Sequence, residues 1–175
     1  MNHKRTSGFT LIELMVTLAV AAILVTVAIP GFRSLIQNNR AATQANELLT
    51  AFTLARSEAL KRSSQVSVCS STDQATCAGD PNWATGWIVF ADDDGDGTMD
   101  AGETLIRVWD SLKGTPTLTQ DTNGNFIQFE STGMVAATTI TTFTLTMPDC
   151  TGKQVRIINV NAIGRGHVTP SDCPP

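Results

Sequence analysis

The sequence predicts an α+β protein. A long N-terminal α-helix spans a membrane with its first half and packs its second half on an antiparallel β-sheet or small β-sandwich. Three observations predict this. Residues Phe9–Ile29 form an apolar run interrupted only by Glu13 and three threonines. Apolar residues then recur at helical spacing as far as Ala59. From Gln65 onward, short β-type runs alternate with Gly, Asn, Asp, Pro and Ser, the punctuation of strands and turns. At 175 residues the chain suits one domain plus an appendage. It divides into a basic leader over 1–8, a transmembrane helix over 9–29, an amphipathic continuation over 30–64 and a β-rich head over 65–175.

The apolar run comes first. Its 21 residues suffice to cross a ~30 Å hydrocarbon core at ~1.5 Å per residue. Thr10, Thr17 and Thr26 are tolerable there because a hydroxyl can bond a carbonyl one turn back. Lys4 and Arg5 precede the run, which keeps the N-terminus cytoplasmic and places everything after Pro30 outside. A secretory signal would end in a small-residue cleavage site. Ala28-Ile29-Pro30-Gly31 fits that poorly, because a proline just beyond the cut disfavours processing. The small residue Gly8 stands before the run instead, where a cut would remove the leader and keep the helix. Glu13 is the anomaly. An ionisable group inside a membrane costs ~2.5–3.5 kcal/mol on the mildest insertion scale, so it needs a partner.

Pro30 and Gly31 mark a kink or loosened turn. Beyond them Ala41, Ala45, Leu48, Phe52, Ala55 and Ala59 form one apolar stripe. A helix from Phe9 to about Ser63 would be ~80 Å long. Seven strands are then expected, over 65–70, 85–91, 104–110, 125–130, 139–147, 154–161 and 166–169. Trp87, Val89, Ile106 and Val108 show the alternation of half-buried strands, and Phe126 with Phe129 shows it less cleanly.

Charge is divided along the chain. Residues 9–65 hold five basic and three acidic side chains, whereas from Val66 onward there are five basic and 13 acidic. An acidic head argues against generic nucleic-acid binding. Four cysteines at 69, 77, 150 and 173 include no CxxC pair, and only His3 and His167 accompany them, so a zinc site is disfavoured. In an exported head the natural reading is two disulfides. Three connectivities are open, and proximity favours Cys69–Cys77 and Cys150–Cys173. With a modest core, such links would help stability.

Gly8-Phe9-Thr10-Leu11-Ile12-Glu13-Leu14 resembles the class III signal of type IV pilins and type II secretion pseudopilins. The resemblance implies that a prepilin peptidase cuts between Gly8 and Phe9 and methylates the new amine of Phe9. It also identifies Glu13 and Pro30 as the family's glutamate and helix-distorting proline. In a filament, Glu13 would neutralise the Phe9 amine of a neighbour within a low-dielectric bundle. A misplaced subunit would leave both charges unpaired, so the pair selects one axial register. Ala55-Arg56-Ser57-Glu58-Ala59-Leu60-Lys61-Arg62, a strand ending near Cys69, Gly86-Trp87-Ile88-Val89-Phe90, the acidic loop and the following Leu-Ile-Arg strand narrow the resemblance. They are similar to the GspH/FimT family of minor pilins and minor pseudopilins. That implies a pilin-like fold and a low-abundance subunit that helps prime or cap a filament. Its partners would be major and minor pilins, the prepilin peptidase and the inner-membrane assembly platform. Its place would be the bacterial inner membrane, single-pass with the head periplasmic, and then the pilus or pseudopilus. Two other roles are kept beside this one, support of protein export as a type II secretion pseudopilin and DNA reception at a pilus tip.

Two head segments could contact a ligand. Asp92, Asp94, Asp96, Gly97, Asp100 and Glu103 match the D-x-D-x-D-G-x5-E calcium loop, with the Thr98 carbonyl at its seventh position. Both flanks read as strand where an EF-hand needs helices, which favours a solvated Asp- and Gly-rich hairpin tip over a bound calcium. No other cofactor is indicated. The second segment is Gly164-Arg165-Gly166-His167, with Lys153 and Arg156 nearby in sequence. It resembles a Gly-Arg-x-Arg tail that some FimT-type pilins use on DNA, but His167 stands where the second arginine would be. A histidine at its ordinary pKa is mostly uncharged near neutral pH, and any contact would be electrostatic and salt-dependent. The bland reading is a glycine-containing hairpin turn with an exposed arginine. Catalysis is not expected: the chain has no P-loop, G-x-S-x-G or dinucleotide motif, and the lone head histidine has no evident nucleophile partner.

Overall fold

The computed structural model describes residues 9–121 and 124–174. Helix α1 (Leu11–Arg62) is followed by β1 (Val66–Ser70), a 3-10 turn (Trp83–Thr85), β2 (Trp87–Ala91), β3 (Leu105–Trp109), β4 (Thr117–Gln120), β5 (Phe126–Phe129), β6 (Thr141–Thr146), β7 (Val155–Val160) and β8 (Gly166–Ser171). The chain forms two compact units, one ending at Ile36 and the other beginning at Gln37.

In the first unit, Thr10 caps the helix: its hydroxyl oxygen accepts the Glu13 backbone N–H at 3.3 Å. This satisfies one of the N–H groups a helix start leaves orphaned. The Thr17 and Thr26 hydroxyls donate to the carbonyls of Leu14 and Ile23 at 2.9 and 2.8 Å, so neither leaves a bare polar group among apolar neighbours. The large apolar side chains here are exposed, from 46% at Ile29 to 85% at Phe9. The helical span runs through Pro30 and Gly31 without interruption. One missing donor in a helix of 52 residues does not end the element.

In the second unit the predicted stripe is the buried one. Ala41, Ala45, Leu48, Phe52, Ala55 and Ala59 are all at most 2% exposed, and Ala51 joins them. Lys61 and Arg62 in the last turn suit the negative end of the helix dipole. At Ser63 the chain turns out of the helix with φ 54°.

The strands form two four-stranded antiparallel sheets, ordered β3-β2-β1-β5 and β4-β6-β7-β8. Their inner faces and the helix stripe share one core that includes Trp83, Trp87, Phe129, Phe143 and Ile158. A second cluster lies on the outer face of the first sheet, where Cys69, Ile88 and Phe90 meet Cys77, Met99 and Phe126. β2 is therefore buried along its whole length, Trp87 and Val89 on one side and Ile88 and Phe90 on the other.

Three sequence expectations are corrected. β4 was not among the seven expected strands; its four residues are too short and Thr-rich to stand out, although Leu118 and Gln120 are its buried alternation. Ile106 and Val108 do not share a buried face. Between Val89 and Phe90 the register skips Ile106, and after this bulge Ile106 and Trp109 meet the core while Val108 is exposed. Phe126 and Phe129 belong to opposite faces, which explains their poor alternation.

The cysteines are joined as Cys69–Cys77 and Cys150–Cys173. Several polar side chains tie helix to strands. Gln37 Nε2 donates to the Pro148 carbonyl at 3.2 Å, Gln44 Nε2 to Lys113 at 2.8 Å and Arg56 Nε to Gly133 at 3.0 Å. Arg156 goes further. Its guanidinium donates to the carbonyls of Lys153, Val155 and Asn38 and, at 2.6 Å, to Asn38 Oδ1. Burial lowers its pKa from the ordinary value, yet a guanidinium stays charged at neutral pH. Arg156→Ala should therefore lower stability by roughly 1.5–3 kcal/mol, the range for hydrogen bonds to a charged group, and Arg156→Lys should restore only part of it. Chemical denaturation followed by circular dichroism measures both.

Candidate functional site

At the N-terminal end, Gly8 lies outside the described residues, whereas Phe9 and Glu13 are both exposed. Glu13 occupies the third position of a helix whose cap is Thr10, where the dipole favours a carboxylate. The Thr10-x-x-Glu13 spacing is that of a capping box, a signal present in the sequence but overshadowed by the membrane run. Pro30 falls inside the helical span.

The acidic loop connects β2 to β3 and is organised around Asp92. This carboxylate is fully buried and accepts four hydrogen bonds. Gly95 N–H reaches Oδ1 at 2.8 Å; Gly97 N–H, Gln128 Nε2 and the Ser67 hydroxyl reach Oδ2 at 3.2, 2.8 and 2.5 Å. Ser67, Gln128 and Asp92 share the outer face of the first sheet, where the antiparallel register sets Ser67 opposite Gln128. Gly97 has φ +77° and leaves no room for a Cβ, which would meet the Phe126 ring at 2.5 Å. Glu103 closes the other end, accepting the N–H of Asp93 through Oε1 at 2.9 Å and of Asp100 through Oε2 at 3.0 Å. Asp96 accepts the hydroxyl and the N–H of Thr98, and these bonds hold its carboxyl below the usual carboxylate range.

Asp92, Asp94 and Asp96 bring one oxygen each within 4.8 Å of the others, a spread that a hard cation with ligands at ~2.3–2.6 Å can bridge. However, Asp92 and Glu103, the first and last ligands of an EF-type loop, already close the hairpin through hydrogen bonds inside the chain. Asp94 and Asp100 are exposed. The Ser67–Asp92–Gln128 network escaped the sequence reading, because nothing local shows which of the loop's aspartates turns inward.

The basic tail does not converge. Arg156 is taken by Asn38 and the backbone, which removes it from any ligand-binding set. Lys153 precedes β7 and Arg165 precedes β8, so they stand at opposite ends of a six-residue strand, roughly 20 Å apart. Arg165 and His167 are exposed on alternate positions of the same edge. Gly164 has a structural reason. It has φ +74°, and a Cβ there would meet the Gly133 carbonyl oxygen at 2.3 Å and Arg56 Nε at 3.0 Å. Helix α1, the segment after β5 and the β7–β8 turn thus cross at one point, which only glycine fits.

A helix with a bare apolar first half, carried into a two-sheet head, is the architecture of pilin-type subunits. Two crystal structures of the type IV minor pilin FimU from Pseudomonas aeruginosa strain PAO1 share the fold over about three quarters of this chain. In space group P21 the TM-score is 0.61 at 21% identity, over 75% of this chain and 90% of that one. In space group P65 it is 0.56 at 21%, over 74% and 92%. No match was found among curated protein sequences. A family model for type II transport protein GspH matches residues 44–164, and one for a prokaryotic N-terminal methylation motif matches residues 3–29. The chain belongs to the GspH family.

Two predictions follow from the head. Asp92→Ala leaves Ser67, Gln128 and two backbone N–H groups without their acceptor and should cost roughly 3 kcal/mol or more in denaturation experiments, because each buried donor left unsatisfied costs about 1–3 kcal/mol. Because the loop is closed by its own bonds, thermal melts of the native chain in calcium and in chelator should coincide; a higher melting temperature in calcium that Asp94→Asn and Asp96→Asn together abolish would place an ion there. In the tail, Gly164→Ala should destabilise by roughly 1–3 kcal/mol through backbone strain, whereas Arg165→Ala should stay within about 0.5 kcal/mol. Equal losses in the two variants would contradict this assignment.

Proposed function

We propose that the chain is a minor pilin or pseudopilin, processed at Gly8–Phe9 by a prepilin peptidase and assembled with other pilin-type subunits into a type IV pilus or type II secretion pseudopilus. The observation that carries this reading is the uncovered apolar half of α1. Among the described residues, the large apolar side chains from Phe9 to Ile36 are about half exposed or more. The 18-residue window of highest hydropathy in the helix has none of its side chains buried. Exposed apolar surface on this scale marks a membrane or protein contact. Length and composition suit a bilayer first, with Lys4 and Arg5 on the cytoplasmic side and the head in the periplasm. A filament of like helices suits the same surface afterwards.

Glu13 supplies the specificity that apolar packing lacks. Between chemically similar helices, a carboxylate that must find the Phe9 amine of a neighbour ranks one axial position above the others. In this reading the subunit helps prime or cap the filament, contacts the inner-membrane assembly platform during insertion, and has no catalytic task. DNA reception has less support, because Arg156 is committed elsewhere and Lys153 and Arg165 do not meet.

Glu13→Ala should leave membrane insertion and removal of the leader intact. Recovery of the chain in sheared filaments should fall about tenfold or more, the equivalent of ~1.4 kcal/mol in assembly. Immunoblots of membrane and filament fractions measure the first and third, and N-terminal sequencing beginning at Phe9 checks the processing. Undiminished recovery of the variant in filaments would remove Glu13 from the assembly account.

A further inference from the structure

A groove of about 520 Å³ lies between helix α1 and the chain from Arg107 to Lys113. It is lined by Arg40, Gln44 and Glu47 of the helix and by Arg107, Trp109 and Lys113 on the opposite wall. Two of its properties point to one kind of occupant. First, β3 ends its sheet, so its outer edge has no partner strand among the described residues. Such an edge offers main-chain N–H and C=O groups to an added strand.

Second, the groove gathers positive charge in an otherwise acidic head. Arg107 and Lys113 are two of only five basic residues after Val66, against 13 acidic ones, and Arg40 joins them from the helix. The Arg107 guanidinium rests 4.7 Å from the centre of the Trp109 ring, which holds it in place and leaves its donors available for a carboxylate. Two acids, Glu47 and Asp110, also line it, so the lining keeps an excess of one positive charge, and Asp110 accepts from Gln74 Nε2.

We propose that this groove receives an extended, carboxylate-bearing segment from the head of a neighbouring subunit. The segment adds as a strand to β3 and sets a carboxylate between Arg40 and Arg107. The proposal rests on the filament-subunit reading and adds to it a surface by which heads, as well as helices, recognise one another. Apolar helix packing fixes that subunits associate; a charged strand site selects which neighbour is accepted.

The test uses the full chain in cells that assemble filaments, with a photo-crosslinking benzoylphenylalanine in place of Val108, which lines the groove, or of Ile163, which does not. Sheared filaments are irradiated and the crosslinked peptide is sequenced by mass spectrometry. The expected result is a crosslink from position 108, absent from position 163, to an acidic, non-helical stretch of another pilin-type head. Its yield should fall about fivefold or more when Arg107→Glu and Lys113→Glu are combined, and should survive Arg107→Lys. Filaments that contain the chain but give no crosslink at position 108 would overturn the groove while leaving the subunit reading in place. So would a crosslink to a helix, or one indifferent to the charge reversal. Absence of the chain from filaments altogether would overturn both.

Discussion

Phe52 is the side chain on which the head is assembled. It projects from the helix into a group of rings that belong to every layer of the second unit. Phe129 of β5 lies 6.5 Å away between ring centres, Phe143 of β6 at 5.0 Å, and Trp83 of the 3-10 turn at 6.4 Å. Trp83 and Phe143 meet edge-to-face at 4.9 Å. Aromatic pairs contribute ~0.5–1.5 kcal/mol beyond the area they bury, so this group both fills the core and fixes the angle between its parts. The arrangement depends on what surrounds Phe52 in the helix. Ala41, Ala45, Ala51, Ala55 and Ala59 keep most of the buried face low, so both sheets approach the backbone closely, and Leu48 and Phe52 are the large apolar side chains that reach between them.

Polar chemistry in the head is arranged around the same economy of size. The outer face of the first sheet would be an exposed surface in a two-layer fold, yet it carries a small second core covered by the acidic loop and the Cys69–Cys77 segment. Asp92 makes that cover possible. A carboxylate is a poor core residue alone, but with four donors from the sheet and its own loop it becomes the point where an otherwise repulsive segment is attached. Asp93, Asp94, Asp96 and Asp100 then face outward and add to the acidity of the head.

The sequence made the helix and most strands legible because their signals are periodic and local. The stripe from Ala41 to Ala59 is the buried face, and all seven expected strands fall within two residues of the observed ones. The seventh, expected over 166–169, runs on to Ser171 because β8 is an edge strand, where Pro170 costs no ladder bond. What could not be read is set by tertiary contacts. β4 is a strand only because β6 is beside it, and Ile106 leaves the register because the β2–β3 ladder bends. Arg156 looked like part of a basic patch because its one-dimensional neighbours are basic and glycine-rich. Its partner, Asn38, is 118 residues away. The groove beside β3 has the same character: no window of sequence contains both Arg40 and Arg107.

Neither disulfide joins the helix to a strand; both close within the chain that follows it. A pull along α1 therefore meets no covalent brace before the turn at Ser63. Resistance must come from non-covalent contacts loaded side by side, the alanine stripe sliding against two sheets, Phe52 wedged between rings, and the polar ties of Gln37, Asn38, Gln44 and Arg56. Contacts arranged in shear share a load, where contacts peeled in series would fail one at a time. A head built this way is tough along the direction of its own helix and comparatively weak to a force that lifts the helix off sideways.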